Sequence, residues 1–452
     1  MKARFAFAVY LAGDNNLAEE MVWSLQEMRE ASGDSAVRKT IDVAVLFDPP
    51  GGKPRRYDFP LSAADFSRPH TEDTEEPAKL LGRLVARMAP GRRFLVLSGH
   101  GSGAVGDFLN DEKPAGSLSI PRLGRILEKA GIEILGLDSC QMSTVEVGYE
   151  VRSSVSCLVA SEGPVLNTGW PYRQILASVA ETRAKPPSAV ARAAAESYLR
   201  FYRDYEIAGV STDIAVCDLS KIGAVAGAVG GLARAMNPPL SEIAPDGIEE
   251  GIELGEVKSA AASNEARSIR DAIVLAHWSA QSYKCDRYSD LRDFARQLLR
   301  FSAGRSGRRF GEIRKAGSRV LDAVDAAVVS SGTTGAELQH SHGLSIYFPW
   351  SSRDFFEEYR NLQFAKETDW ASFLEVYLQA TRRMRRFQPQ HLQRAKTVAA
   401  PLRMPDPDAD LSIPKDVEAG TRKDVEAGTR KGKTCRSTMK NPPDGYYPPR
   451  RK

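Results

Sequence analysis

The chain has 452 residues, 42% of them hydrophobic and 8% aromatic, which is enough to bury a substantial core and to build two or three domains. Its net charge of +4 divides unevenly: residues 381–452 carry 18 Lys and Arg against 8 Asp and Glu, and residues 1–380 carry 44 against 50, so a mildly acidic body bears a basic tail. Five cysteines, Cys140, Cys157, Cys217, Cys285 and Cys435, are odd in number and widely spaced, which excludes a small disulfide framework; no stretch approaches the ~20 apolar residues of a membrane-spanning helix.

The first apolar run, in "RFAFAVYLA" at 4–12, follows two basic residues, Lys2 and Arg4, as a signal peptide would. It ends in "GDNN", with no small-x-small cleavage site, and reads as a buried strand and its turn. Reduced thiols and a cytoplasmic location are therefore expected. A helix is expected over 17–31, a strand at "IDVAVLFD" (41–48), a helix over 76–89, and a strand at "RFLVLS" (93–98). Next come a helix over 119–130, strands at "IEILGLD" (132–138) and "SCLVAS" (156–161), a helix over 186–205, and a strand at "DIAVCD" (213–218). The runs are too continuous for half-exposed strands, and their alternation with helices is the mark of βαβ units. The fold class is thus α/β: a mostly parallel sheet with helices on both faces, occupying residues 1–218.

Residues 219–381 are richer in helical patterns, with one further strand-like run, "HGLSIYFPW" at 342–350, and read as a helix-rich subdomain packed on the core. Beyond 382 the character changes. "RRMRR" is followed by the octapeptide "DVEAGTRK" at 416–423 and again at 424–431; two copies make no solenoid, and a basic, low-complexity, disordered tail is expected. Without interleaved aromatics or a nucleic-acid-binding motif, it reads as a solvated segment, with no nucleic-acid partner and no membrane attachment.

The stretch "RRFLVLSGHGSGAVGDF" (92–108) poses the functional question. Gly101, Gly103 and Gly106 form a Gly-x-Gly-x-x-Gly pattern, which serves a dinucleotide only when a helix starts at once and aims its N-terminus at the pyrophosphate. Here "DFLNDEKPAGS" follows and the next helix begins near Ile120, so the pattern is weak. His100 is the alternative, at the C-terminal end of a buried strand, where open α/β sheets place ligands. The next strand ends in Asp138, Ser139 and Cys140; if the two are parallel neighbours, an imidazole and a thiol emerge at one edge. "QMSTVEVGYEV" after Cys140 reads as helical, which would put the thiol at a helix start. The bland readings are a loop histidine and a buried structural cysteine. A phosphatase is excluded because Glu146 stands where an arginine would be needed six residues after the cysteine. Cys157 and Cys217 lie inside apolar runs and read as structural.

Several segments in order, "YLAGDNNL" (10–17), "SGHG" (98–101), "LDSC" (137–140), "ASE" (160–162), "TGWPY" (168–172), "DLSKI" (218–222) and "GLSIYFP" (343–349), resemble the clostripain family of cysteine peptidases. The resemblance runs from Phe5 to about Ala380. It implies a caspase-like fold and a cysteine endopeptidase cleaving after Arg or Lys, with Cys140 as nucleophile, His100 as acid and base, and an acyl-enzyme intermediate. It implies an oxyanion site from the backbone N–H groups of Gly101 and Cys140, and substrate contacts from Asp138, Glu162 and Trp170. Asp138 also reads as a strand-end cap, and Gly163 and Pro164 stand after Glu162 where family members often carry further acids, so the choice between Arg and Lys stays open.

The expected partners are peptides or proteins with basic residues, and a monomer is expected. No cofactor is required; calcium, used by some members, has no dedicated acidic loop here. His340 and His342 form a His-x-His pair, a metal half-site without an evident third ligand, and read as structural. The other reading of the chain is an inactive or autoinhibited peptidase-like protein that binds basic segments, its own tail included. The resemblance also implies self-cleavage after a basic residue between His100 and Cys140, for which Lys113 is a candidate, but Pro114 follows, and a proline on that side of the bond is poorly tolerated. The bond is expected to stay intact, and intact-mass and N-terminal analysis of the purified protein checks this; a new terminus at Pro114 would refute it.

Overall fold

Each apolar run singled out in the first 218 residues forms a strand of one sheet. The computed structural model describes residues 5–106, 108–112, 115–243, 263–283 and 287–382. In chain order the strands are β1 (Phe5–Ala12), β2 (Ile41–Asp48), β3 (Arg55–Phe59), β4 (His70–Thr71), β5 (Arg93–Ser98), β6 (Asp111–Glu112), β7 (Ala115–Gly116), β8 (Ile132–Asp138), β9 (Val155–Ala160), β10 (Thr212–Asp218), β11 (Ser282–Tyr283), β12 (Tyr288–Asp290), β13 (Val328–Thr334) and β14 (Ser345–Tyr347). Nine of them make a single sheet in the order β13-β10-β9-β8-β5-β1-β2-β3-β4. Its centre, β2-β1-β5-β8-β9, is parallel throughout. Antiparallel pairs flank it, β3 and β4 on one side and β10 and β13 on the other.

The parallel centre follows from what lies between its strands. Helices Ala18–Gly33, Pro77–Arg87 and Ile120–Leu127 fall where apolar residues recur every three or four positions, and each carries the chain back to start another parallel strand. One set of alternate side chains, Phe7, Val9, Phe94, Val96, Ile134 and Val159, packs with Met21, Leu25, Met28, Leu176 and Tyr198 from the helices of one face. The opposite set, Tyr10, Leu95, Leu97, Leu135, Leu137 and Leu158, is equally buried. With both faces covered, the strands have no use for polar alternation, which is why they stand out in the sequence. The first apolar run is β1, buried along its whole length between β2 and β5. No described helix is long and apolar enough to cross a membrane.

Past residue 218 the chain is richer in helix, with Ile222–Ser241, Asn264–Ser279, Leu291–Ser302 and Arg308–Ala327, and ends its described part in Trp370–Thr381. It contributes more strand than its sequence announces. β13, "VVSSGTT", pairs with β10 at the sheet edge, and β11, β12 and β14 form a second, small sheet. The run expected at 342–350 supplies β14 at its centre. Backbone bonds tie β14 to the core: Ser345 N–H donates to Ser143 C=O (2.9 Å), and Tyr347 N–H to the buried Glu146 (2.9 Å). The basic tail from 383, with the repeated octapeptide and Cys435, lies outside the described residues, as do Cys285, Lys113 and Pro114.

Candidate active site

The register of β5 against β8 fixes what meets at their C-terminal ends. The strands pair in parallel from Phe94↔Ile134 to Ser98↔Asp138, and Gly99 N–H donates to Asp138 C=O (3.2 Å), carrying the ladder one step further. His100 and Cys140 each lie two residues past the last pair, so they leave the sheet side by side at its carboxyl edge. A Cβ on Gly101 would overlap the Cys140 carbonyl oxygen and lie 2.9 Å from Ser139 Cβ and 3.0 Å from Cys140 N. Those atoms are backbone or Cβ and cannot swing away, so Gly101 is required for the two chain ends to touch. Gly101→Ala is accordingly expected to wedge them apart, lowering kcat/KM by about 10²-fold for a displacement of about 1 Å and stability by about 1–3 kcal/mol. Kinetics normalised by active-site titration, together with thermal denaturation, check it; wild-type values in both would contradict this packing.

The thiol of Cys140 is half-buried. Val165 N–H donates to Sγ (3.3 Å) and the S–H donates to Val165 C=O (3.5 Å). Val165 is itself held in place from β10: Glu162 and Gly163 N–H groups both donate to the Asp213 carboxylate at 2.8 Å, and Gln141 N–H donates to Gly163 C=O (3.0 Å). Burial pushes Asp213 up to about 6 in spite of those N–H bonds. Here the sequence expectation needs correction. The helix after Cys140 begins only at Val145, capped by Thr144, whose hydroxyl accepts Val147 N–H (3.1 Å). Gln141 takes a positive φ of 57°, Gln141 and Ser143 N–H groups donate to Gly163 and Ser161 C=O just past β9, and Ser143 C=O accepts from Ser345 of β14, so the thiol does not sit at a helix N-terminus.

His100 is partly exposed, and its Nε2 lies 2.6 Å from Asn16 Oδ1. The glycine segment beyond it closes on itself, with Leu109 N–H donating to His100 C=O (3.0 Å). Gly103, at φ 78°, sits against Tyr288 of β12, where any Cβ would overlap the ring. The Tyr288 hydroxyl donates to Ser102 C=O (3.0 Å) and accepts Val105 N–H (3.2 Å). The chain then pairs β6 with β7, and the next helix is Ile120–Leu127. Among the described residues no helix begins between the glycines and Ile120, which removes the basis for a dinucleotide loop.

Asp138 lies beneath the edge with its side chain buried. Its Oδ2 accepts three bonds, from Tyr172 O–H (2.8 Å), Ser98 Oγ–H (2.9 Å) and Trp170 N–H (3.2 Å). Its Oδ1 is buried and has no donor among the described residues. Burial outweighs the three donors and raises the carboxyl to about 6. Gly169, at φ 64°, lies directly on this carboxylate, since a Cβ there would come 2.9 Å from Oδ2.

The other two residues expected to touch substrate are placed differently. The Trp170 indole is fully buried against Gly136, and the residue reaches Asp138 through its backbone N–H. Glu162 is fully buried too: Oε2 accepts Gly343 N–H (2.6 Å), and burial with Asp290 and Asp213 nearby holds its carboxyl well above the usual range. Burial and the neighbouring acids thus disfavour the charged form of this enclosed carboxyl. Both side chains are thus enclosed, with Glu162 Oε1 and Trp170 Nε1 lacking a hydrogen-bond partner among the described residues.

His342 bonds through Nδ1 to His340 C=O (2.6 Å), and its N–H donates to Asp290 (2.5 Å). Among the described residues no group of three or more His, Cys, Asp or Glu side chains is placed to hold a metal ion. Cys157 and Cys217 are buried with unpaired sulfurs, and burial pushes both thiols up, Cys157 to about 11. Sequence reasoning missed Asn16, Val165, Asp213 and Tyr288. Of these only Asn16 left a usable signal, a polar residue just past the C-terminal end of an apolar run, as His100 and Cys140 are.

Comparison with known proteins bears on the family and the fold. The profile described as the clostripain family matches residues 9–377. Among solved structures, a secreted C11 cysteine protease from Bacteroides thetaiotaomicron in complex with an irreversible peptide inhibitor superposes with a TM-score of 0.57 at 18% identity, over 82% of this chain and 99% of that one. An inactive zymogen C11 protease from Parabacteroides distasonis gives 0.55 at 17% identity, over 81% and 99%. No curated protein sequence matches the chain. With a family profile spanning most of its length and a fold shared with solved C11 proteases, the chain belongs to the clostripain family of cysteine peptidases.

Proposed function

We propose that this peptidase cuts after Arg or Lys, with Cys140 as nucleophile and His100 as general acid and base. The observation that carries the reading is the β5–β8 register, which delivers an imidazole and a half-buried thiol to one strand edge. The thiol proton passes to the imidazole and the sulfur attacks the scissile carbonyl carbon. The backbone N–H groups of Gly101 and Cys140, whose chain segments touch, hold the oxyanion. The imidazolium then returns its proton to the leaving amine as the C–N bond breaks, and water, deprotonated by the same ring, hydrolyses the acyl-enzyme.

Asp138 is the specificity carboxylate in this reading. A guanidinium or ammonium reaching the buried Oδ1 would satisfy an oxygen that otherwise lacks a donor, without displacing the three bonds on Oδ2. Glu162 and Trp170 fix the loops around it. The steps use only the chain's own groups, and the reading takes in a monomer in a reducing, cytoplasmic setting that keeps the thiols free. A peptide ending in Arg and carrying a thiol-reactive acyloxymethyl ketone is expected to add one equivalent to Cys140, located by mass spectrometry. An uncharged counterpart is expected to react at least about tenfold more slowly. Label on another cysteine, or equal rates for the two peptides, would refute nucleophile or pocket respectively.

A further inference from the structure

The sheet order places three strand ends in a row at the carboxyl edge: β8, which leads to Cys140; β5, which leads to His100; and β1, which leads to Asn16. We propose that Asn16 is a positioning residue for His100, holding Nε2 as the protonated nitrogen so that Nδ1 is the atom that exchanges the proton with the Cys140 thiol and the leaving amine. The inference rests on the Cys140/His100 reading above and adds to it a third residue and the identity of the reacting nitrogen.

The geometry begins with the neighbour of Asn16. Asn15 is buried and makes three bonds: its amide donates to Ala12 C=O (3.0 Å) and to Asn110 C=O (3.0 Å), and its Oδ1 accepts Leu17 N–H (2.9 Å). These bonds lock the turn between β1 and the helix Ala18–Gly33, and they tie it to the far end of the glycine segment. Asn16 therefore sits on a fixed backbone although its side chain is exposed. Its Oδ1, 2.6 Å from Nε2, can only accept, so the hydrogen in that bond belongs to the imidazole. In the neutral ring the lone pair then lies on Nδ1.

The bond also survives the reaction. When Nδ1 takes the thiol proton, the ring becomes a cation with N–H on both nitrogens, and Asn16 still accepts from Nε2. When Nδ1 gives that proton to the departing amine, the ring returns to its starting tautomer. A carboxamide thus holds the ring's orientation and tautomer through the cycle without adding charge, which is the service a third residue gives a nucleophile–base pair.

The test compares the full-length enzyme with Asn16→Ala and Asn16→Asp, and with Cys140→Ala as a control. Asn16→Ala is expected to lower kcat by about ten- to a hundredfold, part of the 10²–10⁴ that general acid–base transfer contributes, with KM changed by no more than about twofold. Asn16→Asp, which also accepts from Nε2, is expected to restore most of kcat. In ¹⁵N-histidine NMR of the unsubstituted enzyme, His100 is expected as the Nε2–H tautomer when neutral, and as a mixture in Asn16→Ala.

Unchanged kcat in Asn16→Ala, no rescue by Asp, or an Nδ1–H tautomer in the unsubstituted enzyme would each overturn the inference while leaving the dyad intact. Full activity in Cys140→Ala would instead remove the dyad reading on which it rests. Should Asn16→Ala fail to fold, the tautomer of the unsubstituted enzyme decides alone.

Discussion

Cys140→Ala is expected to lower kcat by about 10⁴-fold or more on any peptide substrate, because it removes the only atom in the arrangement that can form the acyl bond. The fold should hardly notice. The thiol's bonds to the backbone of Val165 are weak, and the adjoining Glu162 and Gly163 are held by Asp213 and not by the sulfur. Losing the thiol's bonds should cost about 0.5–1.5 kcal/mol, a shift of a few degrees in Tm at most. The comparison is informative because Cys157 and Cys217 are equally free of disulfides yet buried in the core. Steady-state kinetics and calorimetry on Cys140→Ala and Cys157→Ala check the contrast: the first should be inactive and folded, the second active and less stable. Activity surviving in Cys140→Ala would end the mechanism.

Asp138→Asn is expected to cut kcat/KM for Arg and Lys substrates by about 10²-fold or more while leaving substrates with an uncharged residue in that position little changed. A charge-assisted bond to a buried group is worth about 3 kcal/mol, and each 1.36 kcal/mol is tenfold. The substitution is clean, since the Asn oxygen can keep the three donors on Oδ2 and the amide replaces the oxygen that has none. A pH signature accompanies it. With the free carboxyl near 6, protonation below that pH removes the charge, so KM for a basic substrate should rise as pH falls from 7 to 5, and Asp138→Asn should lack that dependence.

Linkage gives the stability side of the same shift. The folded pKa lies above the unfolded one, so the stabilisation from protonated Asp138 is complete below about 4 and is lost as pH rises through 6. Asp138→Asn should therefore be no less stable than the parent at pH 8, although it is far less active. Equal losses on basic and uncharged substrates would instead mark Asp138 as a cap of the strand end alone.

What was legible in the sequence was whatever burial writes in apolar letters. The strands of the parallel centre are covered on both faces, so "RFLVLS" and "IEILGLD" could be found, and their shared ending exposed the His100 and Cys140 edge. Edge strands were hidden for the complementary reason: β13, "VVSSGTT", is half-exposed, and β3, "RRYDF", alternates charge with aromatics. The helix start after Cys140 was misplaced although Thr144, a good N-cap residue, stood before the apolar "VEV". The supports of the site were illegible because they act through backbone amides across long separations. Asp213 holds Glu162 and Gly163, and Gly343 N–H meets Glu162, pairings that no local pattern announces.

The ring of Tyr288 fills the space that Gly103 leaves empty, and its hydroxyl bridges Ser102 and Val105. On the ribosome His100 and Cys140 are synthesised long before that tyrosine. At about 5–20 residues per second, the interval from Cys140 to Tyr288 lasts about 7–30 s. Throughout it the nascent chain carries Cys140 without the ring that packs on the neighbouring rim. The shape of this rim is therefore fixed only after residue 288 has been made, well after the strands that carry His100 and Cys140.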